Sequence, residues 1–242
     1  MLTENKFSKY LLYAVGEIVL VVIGILIALQ INNWNNNKIN IGESNEFNQR
    51  LLAEVNGNID LANDKIEIMR GMISSSKGIL DLFNKQPSNE DLKLMDSLIF
   101  VVISGVQVEF RTGTLNEGLN TGKVALIDSD VLKSKLYGLP SDIQYVRDID
   151  KIYSNLVSID IQPFLYKNFN YRRMDNALSS YEIGPTKFKF QHNKLLLENE
   201  QFENLIDNYF FSSNSQMAFH TNLKNEFENI KKMIEVELNS EN

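Results

Sequence analysis

The chain has 242 residues, with 24 basic and 31 acidic side chains and a formal net charge of −7 at neutral pH. An acidic chain without basic clusters is poorly suited to nucleic acid or to anionic lipid headgroups, so we expect neither as a partner. The chain contains no cysteine, which excludes disulfides and thiol chemistry. The residues that follow position 34 are numerous enough to form one domain with a substantial core.

Residues 10–31, YLLYAVGEIVLVVIGILIALQI, are almost all apolar and include one charged residue, Glu17. About 20 such residues cross the hydrocarbon core of a bilayer as a helix. A cleaved signal peptide has a shorter apolar core and a small-residue cleavage site, and this segment has neither. The segment is therefore predicted to be an uncleaved signal-anchor and a single transmembrane helix.

The charges that flank this segment predict its orientation. Lys6 and Lys9 precede it, whereas Lys38 is the one basic residue close behind it. Basic residues favour the cytoplasmic side of a membrane. We therefore expect residues 1–9 in the cytoplasm and the main domain on the opposite side. Aromatic residues near both ends of the segment are typical of the membrane interface (Tyr10, Tyr13 and Trp34).

One face of the predicted span carries its small and polar residues. Spacings of three and four residues place Ala14, Glu17, Val21, Gly24, Ala28 and Ile31 on a stripe, with Gly16 beside it. Small residues let two helix backbones approach closely, and this close packing drives helix association in lipid. The stripe predicts a homo-oligomer, or a place in a membrane protein complex, with an interface formed by Gly16, Glu17, Val21, Gly24 and Ala28.

Glu17 lies near the middle of the span, where an ionisable side chain costs on the order of 2.5 kcal/mol or more. Three arrangements would accommodate it. It can be a neutral carboxyl that hydrogen-bonds across a helix interface, it can pair with a cation of another subunit, or it can line a pore. The first is favoured because the span offers no basic residue as a partner.

The rest of the chain predicts a mainly α fold, an α-helical bundle with long amphipathic helices and coiled-coil character. After a polar neck at 32–42, which either interrupts or softens the helix, residues 43–242 form the predicted bundle domain. Apolar residues recur every three or four positions between residues 43 and 83, which predicts one long helix. Its expected core seam is Phe47, Leu51, Val55, Ile59, Ala62, Ile66, Met69, Ile73, Leu80 and Phe83.

Helix signals continue to residue 238. Ser88 or Asn89 is expected to cap a helix over residues 90–104, although the β-branched run there also allows a short strand. Thr114 is expected to cap the next helix, with Glu117 completing a capping box. The remaining helices are expected at 131–138, 141–161, 164–181 (irregular), 194–211 and 215–238. Helix ends are expected at Gly122 and Pro163, a restart or a kink at Pro140, and a short extended piece at 187–190.

Two segments resemble a known family. GEIVLVVIGILIALQINNWN at 16–35 and TGTLNEGLNTGKVALIDSDVLKSKL at 112–136 resemble an uncharacterised bacterial domain-of-unknown-function family. Its members are single-span proteins with an N-terminal anchor and a helical domain, and the resemblance covers nearly the whole chain. It supports the predicted architecture, including the Gly16-Glu17 pair in the span. Together with the flanking charges, this architecture predicts a bacterial inner-membrane protein with a periplasmic main domain. The resemblance implies no activity and no catalytic residue.

Several segments suggest chemistry but do not fit its requirements. The glycines at 113–123 fail the phosphate-loop pattern, and the Asp pairs at 128–130 and 148–150 lack the rest of a calcium loop. A helix N-cap explains the first Asp pair, and a solvated helix face explains the second. His192 and His220 have no ligand spacing to other residues and are interpreted as surface histidines. We therefore predict no catalytic residue, no metal site and no cofactor.

One cationic and aromatic cluster is a candidate patch for an anionic ligand or a partner. It comprises Tyr171, Arg172 and Arg173, and Arg111 is a weaker candidate for the same patch. Arginine and aromatic residues are typical interface anchors, although they also pack the ends of helical bundles.

The functional prediction is a non-enzymatic, membrane-anchored interaction or scaffold protein that self-associates through its span. A periplasmic sensory or small-ligand-binding helical module is the alternative, although such sensors usually return to the cytoplasm through a second span. A small oligomeric channel with Glu17 in its pore is a third class. An enzyme is the least favoured class, because no nucleophile, base or metal constellation stands out.

Overall fold

Long apolar periodicities, few prolines and few glycines produce an almost entirely helical chain. The computed structural model describes residues 4–105, 107–181, 183–187 and 193–240. Helices account for 87% of the described residues, and the described ranges contain no strand. The predicted mainly α class is therefore confirmed. The expected extended piece at 187–190 lies largely outside the described residues.

The helices follow one another with short connections. They are α1 (Glu4–Phe83), α2 (Asn89–Ile103), α3 (Gly113–Thr121), α4 (Asp130–Asn155), α5 (Gln162–Asn168), α6 (Tyr171–Leu178), α7 (Asn193–Leu196) and α8 (Glu200–Ser240). A 3-10 turn at Lys123–Leu126 precedes α4, and a π-helical segment at Leu156–Ile161 joins α4 to α5.

Helix α1 runs without interruption from the apolar segment through the polar neck to Phe83. At roughly 1.5 Å per residue its 80 residues extend about 120 Å. The neck asparagines and Gly42 cost a helix less than about 1 kcal/mol each, so strong helix formers on both sides carry the helix through them. The neck therefore does not break the helix.

The first half of α1 has no protein around it. Every side chain from Lys9 to Glu43 is exposed, whereas Phe47, Leu51 and Val55 are fully buried. This exposed part is long and apolar enough to cross a membrane. Such a surface is stable only when lipid or another helix covers it.

The second half of α1 packs mainly against α8, and the two helices run antiparallel. Two separate apolar clusters lie along them. The first cluster joins α1 residues 47–62 to α8 residues 223–234, together with α3 and α4. The second joins Ile79 and Leu82 to Phe202 and Ile206, together with α2, α5 and α6. The predicted seam residues between Phe47 and Met69 are buried except Ile59, which is half-buried. Beyond Met69 the predicted seam was wrong, because Ile79 and Leu82 are buried there, whereas Ile73, Leu80 and Phe83 are only half-buried.

Several predicted helix boundaries were wrong. Residues 164–181 form parts of two helices, α5 and α6, instead of the one irregular helix expected. Residues 194–211 and 215–238 do not form two helices, because α8 continues through the serines at 212, 213 and 215. Pro140 lies inside α4 and does not separate two helices. Gln162-Pro163 does not end a helix either, because the π-helical segment leads directly into α5. A π turn accommodates a proline that cannot donate to the preceding turn.

Helix α3 begins differently from the predicted capping box. It starts at Gly113, and its first N–H groups are satisfied by Glu54 of α1, which accepts from Thr114 N at 2.7 Å and Leu115 N at 3.0 Å. Glu117 pairs instead with Arg50 and Lys123, at 2.6 and 2.9 Å. These bonds lower the pKa of Glu117 to about 2, the one from Arg50 contributing most.

Local caps elsewhere agree with the sequence. Ser88 caps α2 through a capping box with Asp91, and Ser129 caps α4 by accepting from Leu132 N. Gly122 ends α3 in the left-handed conformation, at φ 79°, which favours glycine. The buried Glu237 of α8 also accepts from the N–H groups of Asp128 and Ser129.

Candidate functional site

The predicted interface of the span is an open surface. Gly16, Glu17, Val21, Gly24 and Ala28 are all exposed on α1, outside the domain. No atom lies within 4 Å of a methyl group that would replace either glycine hydrogen. Within the described chain, no hydrogen bond or ion pair involves Glu17. The backbone is therefore accessible for close approach by a second helix on this face.

The predicted cationic cluster is largely engaged inside the domain. The Arg173 guanidinium pairs with the buried Asp96 of α2 and also donates to Asn193 Oδ1 at 3.1 Å. Asn193 in turn donates to Asp96 Oδ1 and to the Leu92 carbonyl, both at 2.7 Å. Burial lowers the pKa of Arg173, and the Asp96 charge opposes that effect. This network fixes α6 and α7 against α2.

The neighbours of Arg173 also serve the local fold. Arg172 donates to the carbonyls of Ile183 and Gly184, at 2.8 and 3.2 Å, which holds the segment after α6. Burial raises the pKa of Tyr171 to about 12, and its ring packs against Tyr166 and Phe169. The proposed partner patch at residues 171–173 stays a prediction, with Arg172 as its exposed charge.

Arg111 lies in a different place from this cluster. Its guanidinium lies beside Gly57 of α1, and its backbone exchanges two 2.8 Å hydrogen bonds with the buried Asn58. Arg173, in contrast, belongs to the end of the domain near Ile79. Those two positions of α1 are about 33 Å apart at roughly 1.5 Å per residue. Arg111 and Arg173 therefore do not form one patch.

A polar pocket lies between the two apolar clusters, beside Lys65 and Met72 of α1 and the middle of α8. Its volume is about 450 Å³, and it is partly open to solvent. We call it the central pocket. Its charged lining is Lys65 of α1 and Asp150 of α4; Gln216 and the buried Tyr209 and Ser213 of α8 add polar groups. Met72, Ile103, Leu156 and Val157 supply apolar walls. Ligand sites typically combine such walls with a few convergent polar groups.

The central pocket is organised around the Asp150 carboxylate. Its Oδ1 accepts from Gln216 Nε2 at 2.6 Å and lies 2.7 Å from Nε2 of His220, which is fully buried. Burial alone would raise the pKa of Asp150. The hydrogen bonds from His220 and Gln216, with the Lys65 charge, outweigh that effect and lower it. Asp150 therefore remains a carboxylate inside the domain.

His220 has its other ring nitrogen, Nδ1, buried without a hydrogen-bond partner in the described chain. A proton on Nδ1 would be a buried donor without an acceptor, which costs more than leaving Nδ1 as an unpaired weak acceptor. The tautomer with its proton on Nε2 therefore suits the site. That proton is donated to Asp150. The interpretation of His220 as a surface histidine, and of Asp150 as part of a solvated face, was wrong. His192 lies outside the described residues.

Lys65 is the second charged residue of the central pocket, and it is more deeply buried than the half-buried Asp150. Its side chain is only 6% exposed. Burial lowers its pKa, while the nearby Asp150 carboxylate raises it. The two charges belong to different helices, 85 residues apart in sequence, so no motif could have linked them. Two features of the sequence could have indicated the pocket: a lysine close to the α1 seam and a serine-rich stretch inside α8.

The π-helical segment Leu156–Ile161 forms one wall of the central pocket. A π turn inserts an extra residue and redirects the side chains that follow it, and such turns often occur at functional sites. Within the described ranges, no cluster of three or more His, Cys, Asp or Glu side chains could hold a metal ion. The charges of the pocket belong to a lysine and a single carboxylate, which suits an organic ligand better than a metal.

Comparison with protein families, with curated proteins and with solved structures finds no match to this chain.

Proposed function

We propose that the chain is a non-enzymatic, membrane-anchored scaffold protein that self-associates through its transmembrane helix. The observation that carries the proposal is the single uninterrupted helix α1. Its first half is exposed and apolar, with Glu17 and the small residues on one face, and its second half is built into the domain. Association of two spans would therefore bring two helical domains side by side.

The position of Glu17 supports association of two spans over a span that lies alone in the bilayer. An isolated carboxyl near mid-bilayer costs on the order of 2.5 kcal/mol or more. A second copy in the same register offers each neutral carboxyl a hydrogen-bond partner, and Gly24 and Ala28 allow close backbone contact about two and three turns further along. Two carboxyls that share protons across a helix interface would offset much of the cost of both.

We also propose the bacterial inner membrane as the location, with residues 1–9 cytoplasmic and the helical bundle in the periplasm. The flanking lysines support this orientation, and the resemblance to the uncharacterised single-span family points to the same architecture. A cysteine at the exposed position Lys77 would test it, because the native chain has none. We expect a membrane-impermeant maleimide to label that cysteine in spheroplasts without lysis. Labelling only after lysis would contradict the proposed orientation.

The native mass of the full-length protein in mild detergent tests self-association. We expect a defined oligomer that Glu17→Leu and Gly24→Leu convert to monomer. Leu26→Ala, on the opposite face of the span, is the matched control and should retain the oligomer. A monomeric parent, or an oligomer that survives both stripe variants, would refute association through this face. Ion flux through reconstituted protein that changes in Glu17→Gln would instead favour a channel.

A further inference from the structure

We infer that the central pocket binds a small zwitterion, an apolar amino acid or a short peptide, with its amine on Asp150 and its carboxylate on Lys65. This site is separate from the span, and the inference does not depend on self-association. It uses the cavity, the two charged residues that line it, and the remaining acceptor capacity of Asp150.

The size and shape of the cavity suit a small organic molecule. A volume of about 450 Å³ falls within the roughly 300–1,000 Å³ typical of ligand sites. A core of this kind is normally packed without voids larger than a water molecule. The cavity also lies where the two apolar clusters fail to meet along α1 and α8. It is therefore a built feature between two well-packed regions.

The charges of the lining select the ligand. Lys65 and Asp150 both belong to the wall, so a simple anion would meet the carboxylate and a simple cation would meet the ammonium. A molecule that carries both charges matches both groups. Charge-assisted hydrogen bonds of this kind are about twice as strong as neutral ones. A zwitterion is therefore favoured over either of its halves.

Asp150 has a free acceptor oxygen for the ligand amine. Both hydrogen bonds that the described chain makes to this side chain end on Oδ1, from Gln216 and from His220. The lone pairs of Oδ2 are left for another donor. Because hydrogen bonds from Gln216 and His220 fix the carboxylate, the amine would meet a preorganised acceptor. An ammonium such as Lys65 has three N–H donors, so it can serve a carboxylate beside its existing contacts.

The remaining lining favours an apolar side chain on the ligand. Met72, Ile103, Leu156 and Val157 face the cavity, with Tyr153 and Tyr209 as aromatic walls. Burial of apolar groups against such walls adds affinity in proportion to the area removed from water. A cavity of this size has room for an apolar amino acid and also for a dipeptide.

Calorimetry and thermal unfolding of the full-length protein in detergent test this inference. The probes are L-leucine, L-phenylalanine and leucyl-leucine, with isopentylamine and isocaproate as the two single-charge halves of leucine. We expect at least one zwitterion to bind and to raise the Tm, and neither half to do so. No binding by any zwitterion, or equal binding by a half, would overturn the inference.

Paired variants locate the binding. Asp150→Asn and Lys65→Met should each lower the affinity for the zwitterion by about 10-fold or more, since each removes a charge-assisted hydrogen bond. Asp148→Asn and Lys77→Met are the matched controls, because both side chains are exposed on the same two helices.

A blocking variant separates loss of binding from loss of folding. Ser154 lines the cavity from an exposed position of α4, so Ser154→Trp should fill the cavity without disturbing the core. It should abolish binding, whereas Lys151→Trp, exposed on the same helix outside the lining, should retain it. Unchanged binding in Ser154→Trp, in Asp150→Asn or in Lys65→Met would place the ligand elsewhere and overturn the inference.

Discussion

The close contact between α1 and α3 predicts that replacement of glycine by alanine destabilises the protein at Gly118 and stabilises it at Gly71. A methyl group at Gly118 would lie well inside van der Waals distance of the fully buried Phe47 ring and 3.3 Å from Cγ2 of Val124. A methyl group at Gly71 would meet no atom within 4 Å. Both changes gain about 0.5–1 kcal/mol of helix propensity. Only Gly118→Ala adds an overpacking cost of about 1–3 kcal/mol.

The difference between the two variants isolates the packing term. We expect Gly71→Ala to raise the free energy of unfolding by about 0.5–1 kcal/mol. Gly118→Ala should lower it by about 1 kcal/mol, the balance of overpacking and propensity. Urea unfolding of the helical domain, followed by circular dichroism in detergent micelles, measures both. If Gly118→Ala stabilises the protein as much as Gly71→Ala does, the close approach of α3 to Phe47 is wrong.

Two further predictions concern charged contacts between helices. Glu117 has a folded-state pKa of about 2, below the ordinary value of 4.5, so its contribution to stability is present above pH 4.5 and is lost as the pH falls toward 2. Unfolding midpoints of the parent and Glu117→Gln should therefore differ at neutral pH and converge near pH 2; a constant difference would contradict the pairing with Arg50. Asp96→Ala should cost about 3 kcal/mol, because it removes the buried carboxylate that pairs with the Arg173 guanidinium and accepts from the Asn193 amide. Asp142 is exposed, so Asp142→Ala should change the free energy of unfolding by less than about 0.5 kcal/mol. If Asp96→Ala lost no more than this control, the Asp96 network would contribute nothing to stability.

Sequence reasoning succeeded where the signal is local. The buried seam of α1 between Phe47 and Met69, apart from the half-buried Ile59, followed from a spacing of three and four residues. The cap at Ser88 and the end of α3 at Gly122 followed from residues within one turn of the helix end. Each of these features depends on neighbours in the chain, so the order of residues is enough to predict it.

Features that depend on distant residues were missed. Glu54 caps α3 from 60 residues away, and this left Glu117 for Arg50 instead of the expected capping box. His220 meets Asp150 across 70 residues, so neither side chain carried a local sign of burial. A lone histidine in an amphipathic helix is compatible with either face until the partner helix is known.

The continuity of α8 and of α1 was also beyond local rules. Serine and asparagine are weak helix formers. Their presence predicted a break near residue 213 and left undecided whether the neck at 32–42 interrupts the helix. Tertiary packing decides the first case, because α8 lies along α1 on both sides of the serines. The serines at 212 and 213 line the central pocket, which explains their polarity without a turn.

Disulfide cross-linking in native membranes tests the central claim, self-association through the stripe of the span, most directly. The native chain contains no cysteine, so single-cysteine variants report one position each. Val21→Cys and Ala28→Cys lie on the stripe, and Val19→Cys and Leu26→Cys lie on the opposite face. A disulfide requires Cα atoms within roughly 7 Å. Oxidation should yield covalent dimers at the two stripe positions and monomers at the other two. No dimer at any position, or equal dimer on both faces, would contradict association through Glu17, Gly24 and Ala28.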